Sequence, residues 1–404
     1  MKIFMVTFAY PEYITYLYDK NPDLAGKPFA GQKEFFRLDS YGKEEFWGGA
    51  LAKYGYEFRE ANMNAEPMQR AWAAEHGFSA DPIQIVIRQI KEFAPDILWY
   101  NYHDEPSLRK ILAEIPPVRL IISSVGSALQ KTDLWKHIDL VLSCAPETIE
   151  KLSAQGVYAR QLHHAFDGRI NERLKDMGKP YDISFSGKII RNVEFHLIRE
   201  QILEYLANEM ELVIFSPSAH IGLTEFFKYT AKMFLYGTSR VLMKTKPTRK
   251  LMDKIKIYNK VTKWDGKPLP PINKKLKPYL KSPVFGLDMY QTVKNSKIAL
   301  NIHADSSPRY ASNVRMFEIP GPGACLLTDW KQNIGELFVP DQEVVTYKTP
   351  EECLEKAKWL ISHPAEMEAI ARAGQARTLK DHSYTVRAER LDNIIRTALK
   401  AKSS

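Results

Sequence analysis

The feature that most constrains this chain is a regular alternation of short apolar runs with amphipathic stretches. That is how a parallel sheet wrapped by helices reads in sequence. In the first half the strand candidates are Ile3–Phe8, Glu57–Arg59, Ile97–Tyr100, Leu120–Ser123, Leu140–Ser143 and Ala159–Leu162. Helices fill the gaps. Phe46–Tyr54 runs up to Gly55 as a stop, and Pro82–Phe93 sets Ile83, Val86, Ile87 and Ile90 on one face. Pro146–Gln155 opens on proline and ends at Gly156. The run Ile97–Tyr100 follows the Pro95-Asp96 turn without a polar break, as a strand buried on both faces requires.

A second series begins near Tyr181. Asp182–Ser186 reads as a strand, Glu194–Leu206 as a helix and Glu211–Phe215 as a strand. Residues 216–283 break the rhythm, being basic, aromatic and interrupted by proline. It returns with helix Met289–Asn295, strand Ile298–His303, helix Val314–Ile319 and strands Ala324–Thr328 and Val344–Tyr347. Helix Glu351–Ser362 and a long helical segment beyond Pro364 complete it. No repeat of about 20–50 residues is present, so a solenoid is excluded. A chain of 404 residues exceeds what one core fills, and the reading is two α/β domains joined near 165–180.

Hydrophobic residues at 45% and charged residues at 26% are the mix of an ordinary globular protein. No window reaches the roughly 18 apolar residues of a membrane-spanning helix. The opening run Ile3–Val6 is broken by Pro11 and Glu12 and reads as a buried strand, not a signal peptide. Cys144, Cys325 and Cys353 lack metal or redox spacing and read as buried free thiols in a reducing, cytoplasmic compartment. The net charge of +9 is uneven: from Lys228 to Lys281 there are sixteen Lys or Arg and only two acids, Asp253 and Asp265. Such a segment is either a solvated basic face or a landing site for an anionic partner: a phospholipid surface, a lipid diphosphate, an acidic glycan or nucleic acid.

Open α/β sheets bind ligands beyond the carboxyl ends of their strands, and five places there carry chemistry. Asn313 to Gly323 places Arg315 and Glu318 on one helix face ahead of the glycine-rich turn Gly321-Pro322-Gly323. A carboxylate can take ribose hydroxyls and an arginine can grip phosphate, or the two simply pair at i,i+3. Ser186-Gly187-Lys188, with Arg191 and Arg199 beyond, ends a strand where a diphosphate could approach the backbone, or is a plain surface turn. His103-Asp104 follows the strand Ile97–Tyr100 as a candidate base or as an ordinary loop, and His163-His164 sit at the connection between domains. His303-Ala304-Asp305-Ser306-Ser307 offers hydroxyls and a carboxylate to a sugar, or caps the next helix. Gly48-Gly49 either open a helix close to a ligand or let a neighbouring helix pack tightly.

The run Arg315-x-Phe317-Glu318 through Gly323-Ala324-x-Leu326-Leu327-Thr328-Asp329 is followed by Glu336-Leu337-Phe338 and Pro340-Asp341-x-Glu343-Val344-Val345. Pro350-Glu351-Glu352, Ala373-Gly374 and His382-Ser383-Tyr384-Thr385-x-Arg387 come later. With Pro283–Gly286, Ser296–Asn301 and Phe185-Ser186-Gly187 ahead of it, this order resembles the glycosyltransferase-like domain of the CgeB spore-maturation family, related to glycosyltransferase families 1 and 4. The resemblance covers about half of the chain.

The resemblance implies the GT-B architecture, α/β with two Rossmann-like domains facing across a cleft. Residues 1–165 would be the acceptor side, and 166–385 the nucleotide-sugar domain with a basic insertion at 216–283. Residues 386–404 would form a helix packing back toward the first domain. The nucleotide-diphosphate sugar would be held without an obligatory metal by Ser186, Gly187, Lys188, Arg191, Arg199, His303, Asn313, Arg315, Glu318, Gly321 and Gly323. Glu318 matches the second acid of the relatives' Glu–seven residues–Glu pattern, but the first position falls on Tyr310. Catalysis would rest on Glu318, Arg315 and the N-terminal helper His103, with the anomeric configuration retained. The acceptor is a hydroxyl on a glycan, lipid-linked saccharide or other envelope or secondary-metabolite molecule. The rival from another class is a non-catalytic GT-B scaffold that binds a nucleotide, glycan or anionic surface. Peripheral membrane contact through 228–281 is preferred over nucleic acid, for which no module is present.

Overall fold

The computed structural model describes residues 1–126, 129, 132–191, 197–220, 222–242, 255, 258, 260–261, 264, 266–304 and 307–403. Two compact units emerge: Met1–Ser184 with Val284–Ser404, and Phe185–Pro283.

The strands are β1 (Lys2–Thr7), β2 (Glu57–Asn62), β3 (Ile97–Tyr100), β4 (Leu120–Val125), β5 (Leu140–Ser143), β6 (Ala159–Gln161), β7 (Tyr181–Ser186), β8 (Leu212–Phe215), β9 (Leu280–Lys281), β10 (Ser296–Asn301), β11 (Cys325–Asp329) and β12 (Val345–Tyr347). In the larger unit the first sheet runs β2-β1-β3-β4-β5-β6, parallel throughout. The second sheet of that unit runs β12-β11-β10-β7. In the smaller unit β8 and β9 pair in parallel.

Local sequence explains most element boundaries. Asp81 accepts the amide of Gln84 and Pro82 fills the first turn, so Pro82–Phe93 forms as read. Asp104 likewise caps Glu105–Glu114 through the Ser107 amide. The stretch Phe46–Tyr54 is a helix from Glu44 to Leu51 followed by a tighter turn, closed by Gly55 in the left-handed conformation at φ 77°.

Three layers of side chains make the cores of the larger unit. Val6, Leu98, Tyr100 and Val141 pack on the helices Pro82–Phe93 and Glu105–Glu114 on one face of the first sheet. On the other face Ile3, Met5, Trp99 and Leu142 pack with Trp47 and with Ala388, Leu391, Ile395 and Ala398 of the helix Tyr384–Ser403. The third cluster joins Phe166, Tyr290, Phe317, Leu326 and Phe338 around the second sheet.

Two stretches differ from the sequence reading. Residues 10–40 hold helices, Pro11–Lys20 and Phe29–Leu38, whose Tyr13 and Phe36 are buried with Leu17, Leu24 and Met68. The interrupted segment 216–283 contains a helix of 20 residues, Leu223–Leu242. Lys244, Lys246, Arg249 and Lys250, part of the basic run, lie outside the described residues.

Candidate functional site at the ends of β10 and β11

Beyond the carboxyl ends of β10 and β11 the chain builds one polar assembly. Asn301, the last residue of β10, donates to Thr328 Oγ1 (2.9 Å) and lies 3.5 Å from Met316 Sδ. Its carbonyl side-chain oxygen accepts from Asn313 Nδ2 at 2.6 Å. These bonds seat the one-turn helix Arg315–Glu318 over both strand ends.

His303 follows, only 2% exposed. Its Nδ1 lies 2.7 Å from Asp329 Oδ1, which also accepts the His303 backbone amide at 3.0 Å. Burial alone would raise the Asp329 carboxyl, but the His303 charge and hydrogen bonds, with Lys331 at 3.1 Å, hold it well below the usual carboxylate range. With Nδ1 committed to Asp329, the other ring nitrogen, Nε2, has no partner among the described residues, nor has Asn313 Oδ1. Unpaired buried polar atoms are costly, and two that cluster at strand ends leave room for a ligand group.

Arg315 and Glu318 pair at i,i+3, as one reading of their spacing had it. Glu318 Oε1 also accepts the Tyr290 hydroxyl at 3.0 Å, and the residue is 9% exposed. Each carboxylate oxygen has two acceptor directions, so this pairing leaves capacity for hydroxyls. Burial first, then the Glu318 charge, holds the Tyr290 phenol protonated.

Sequence reasoning missed Lys43. It precedes the helix Glu44–Leu51, and its amide and that of Glu44 donate to Glu60 Oε2 at 2.5 and 3.0 Å. Tyr384, Glu318 and Glu60 together push the Lys43 ammonium pKa up. His164 is exposed as a residue, yet desolvation of its ring and then the Lys43 charge lower its pKa to about 4. A lysine from the first half of the chain therefore lies within electrostatic reach of the Glu318 carboxylate of the second half.

A carboxylate also stands beside Tyr310. Glu147, 5% exposed at the start of the helix Pro146–Ser153, accepts the backbone amides of Arg309 (3.0 Å) and Tyr310 (3.1 Å) through Oε1. Its Oε2 is unpaired. Nothing near Glu147 in sequence marks it, because the partners it meets lie in the other half of the chain.

The remaining candidates are placed as follows. His103 takes φ 61°, its Nε2 donates to the Ser124 carbonyl at 2.7 Å, and desolvation of the ring lowers its pKa. That leaves Nδ1 as the ring's acceptor. Gly321 and Gly323 are explained by packing: a Cβ on Gly321 would sit 2.5 Å from the Phe166 ring, and Gly323 takes φ 97°. Gly48 and Gly49 lie within the helix Glu44–Leu51 with neighbours at ordinary contact distance, 3.6 and 3.7 Å. Asp305 and Ser306 lie outside the described residues.

Ser186 ends β7 and Gly187 follows it, and the next helix among the described residues is Leu197–Glu209. Arg191 pairs with Glu200 at 2.9 Å and donates to the Pro270 carbonyl at 2.6 Å. Arg199 donates to the Lys188 carbonyl at 2.8 Å and lies over the Phe185 ring. Both arginines thus also brace the fold of the smaller unit.

The motif His382 to Arg387 turns out to be structural. His382 Nε2 donates to the Leu337 carbonyl (2.7 Å) and its Nδ1 accepts from Arg387 Nη2 (2.8 Å). Arg387, 7% exposed, also donates to the carbonyls of His164 (3.1 Å) and Asp381 (3.3 Å). Burial lowers the Arg387 pKa to about 10 and that of His382 to about 4.

Cys144, Cys325 and Cys353 are buried free thiols, and burial raises the first two to about 12. Among the described residues no group of three or more His, Cys, Asp or Glu could hold a metal ion, and no helix is long and apolar enough to cross a membrane. Two concavities lie elsewhere: an open one of about 780 Å³ beside Lys27, Glu66 and Arg70, and one of about 450 Å³ beside Arg160 and Arg390. Neither includes a residue of the assembly above, which is recognised by its unpaired polar atoms and not by volume.

Residues 240–393 match the model of a glycosyl transferase-like family. No curated protein matches the chain. Among solved structures, HepE of Anabaena, determined with UDP and glucose, superposes with a TM-score of 0.52 at 10% identity, covering 98% of this chain and 100% of that one. The sucrose-phosphate synthase of Thermosynechococcus elongatus gives 0.51 at 10% identity over 99% of this chain and 100% of that one. AviGT4, a glycosyltransferase involved in avilamycin A biosynthesis, gives 0.51 at 13% identity over 99% and 98%. At these identities the likeness shows the fold, an α/β architecture of the GT-B type.

Proposed function

We propose that this chain, a glycosyltransferase by its matched domain and its fold, moves a sugar from a nucleotide-diphosphate sugar to an acceptor hydroxyl. The observation that carries the donor site is the pair of unpaired polar atoms, His303 Nε2 and Asn313 Oδ1, at the carboxyl ends of β10 and β11. Strand ends of this kind are where open α/β sheets take nucleotides. HepE, whose fold is similar, is solved with UDP and glucose.

In this reading Glu318 holds the ribose hydroxyls while Arg315 and Lys43 face the diphosphate. The sugar C1–O bond breaks and its electron pair goes to the leaving diphosphate, where the two cations stabilise the charge. The acceptor oxygen forms the new bond to C1 on the same face, so configuration is retained, and its proton passes to a donor phosphate oxygen. No metal is assigned a step. His103, its Nδ1 open as an acceptor, steadies the acceptor hydroxyl. On the resemblance to CgeB-like proteins, the turn Ser186-Gly187-Lys188 with Arg191 and Arg199 is proposed as a further phosphate contact. The same resemblance supports residues 1–165 as the acceptor side and 166–385 as the donor side, and the three free thiols support a cytoplasmic location.

The test is Glu318→Ala, read by calorimetry against a panel of nucleoside diphosphates and by turnover on the matching nucleotide sugar. At least a tenfold loss of affinity, about 1.4 kcal/mol, is expected together with loss of turnover. Unchanged affinity and turnover would remove Glu318 from the site.

A further inference from the structure

We propose that the helix Leu223–Leu242 docks on an anionic phospholipid bilayer, with Phe226, Phe227, Phe234 and Val241 entering the boundary between headgroups and acyl chains. The four side chains are 57%, 66%, 68% and 64% exposed. At 100° per residue they fall on one arc about a quarter-turn wide, with Thr230 and Gly237 between them. The opposite face carries Ser239, 2% exposed, and the half-buried Leu235 and Tyr236. That side is packed near the end of the helix, around Ser239, and the described residues leave the aromatic stripe exposed along its length. Single exposed hydrophobic residues are unremarkable on a soluble protein, but three phenylalanines in line are a docking surface.

Charge selects the partner. Lys228, Lys232 and Arg240 are exposed on the same helix, against one acid, Glu225. Residues 228–281 carry sixteen bases and two acids, and Lys260, Lys267, Lys274, Lys277 and Lys281 are exposed among them. An apolar stripe set in a field of one sign is what an interfacial helix presents to anionic lipid, the rings anchoring and the bases meeting lipid phosphates. A protein groove would take the stripe but does not call for so long a run of positive charge. Nucleic acid would take the charge, but the rings of Phe226 and Phe227 meet at 70°, edge to face, and offer no flat platform to successive bases. Because no helix among the described residues is long and apolar enough to cross the bilayer, the contact is peripheral.

The experiment is co-sedimentation of the full chain with phosphatidylcholine vesicles carrying about 30% phosphatidylglycerol, compared with pure phosphatidylcholine. Binding is expected on the anionic vesicles, weakening at least about tenfold without the anionic lipid and falling as salt rises from about 0.1 to about 0.5 M. The triple variant Phe226→Ser, Phe227→Ser, Phe234→Ser is expected to lose about tenfold or more, and so is Lys228→Glu, Lys232→Glu, Arg240→Glu. Since all six side chains are exposed, both variants should keep the wild-type Tm and the same nucleotide affinity in vesicle-free buffer. That second readout separates failure of docking from failure of the transferase reading. Wild-type protein that ignores anionic vesicles, or a triple phenylalanine variant that binds them as well as wild type, overturns the proposal. So does a phenylalanine variant whose only change is in self-association or in RNA binding.

Discussion

Two segments of the larger unit carry the same kinds of residue and treat them in opposite ways. From His303 to Glu318 there are a histidine, an asparagine, an arginine and a glutamate, and buried polar atoms there have no partner among the described residues. From His382 to Arg387 there are again a histidine and an arginine beside aromatic rings, and both nitrogens of the imidazole are bonded. As letters in a sequence the two look equally functional. The difference is in satisfaction: a saturated network fixes the fold, while an unfinished one waits for a ligand.

The comparison predicts opposite costs. The largest is expected for Arg387→Ala, which strips three hydrogen-bonded acceptors of a buried guanidinium. Unfolding in urea should show a loss of about 4 kcal/mol, with nucleoside-diphosphate affinity little changed in the protein that remains folded. A variant that binds nucleotide poorly while keeping full stability would merge the two segments into one class.

Next is acid. The folded His382 has its pKa lowered to about 4 from the usual value of 6.5, so between those values the unfolded chain binds the proton and the native one does not. Stability from this group is thus fully present above pH 6.5 and is lost as pH falls through about 4. The loss amounts to about 3 kcal/mol and should appear as a slope in Tm against pH. His382→Gln should flatten that slope; an unaltered slope would place its origin elsewhere.

The smallest effect on the fold, and the sharpest on binding, is expected at His303. Asparagine can still donate to Asp329 but removes the unpaired Nε2, so unfolding free energy should move by less than about 1 kcal/mol. Nucleoside-diphosphate affinity should fall about tenfold, ~1.4 kcal/mol, by calorimetry. Equal losses in both measurements would mean that His303 is scaffolding, like His382.

Much of the fold was legible because its strands are buried on both faces. Ile97–Tyr100 and Leu140–Ser143 coincide with the apolar runs, and Pro82–Phe93 is announced by Asp81 and its proline. The helices Pro11–Lys20 and Phe29–Leu38 were not, since neither Tyr10 nor Pro28 gives a side-chain cap. Leu223–Leu242 hid for a different reason: it lies in the basic, proline-interrupted stretch 216–283, which reads as one break in the rhythm. At the site, Arg315 and Glu318 are neighbours in sequence and were readable as a pair. Lys43 and Glu147 were not, because the residues that single them out, Glu318 and Tyr384 for Lys43 and Arg309 and Tyr310 for Glu147, lie in the other half of the chain.

The packing of Tyr384–Ser403 against Ile3, Met5 and Trp99 has a bearing on how the chain is made. A ribosome delivers the first sheet long before it delivers Leu391 and Ile395, so one side of that sheet must emerge bare. Until Tyr384–Ser403 has been made, Trp47, Phe58 and Trp99 lack the cover that helix gives them in the folded protein. Trigger-factor-like holdases acting on the nascent chain, and truncations that end before Tyr384, would meet the same sticky surface. The helix Tyr384–Ser403 is thus also a timing device: that face of the first sheet is covered only once this helix has been made.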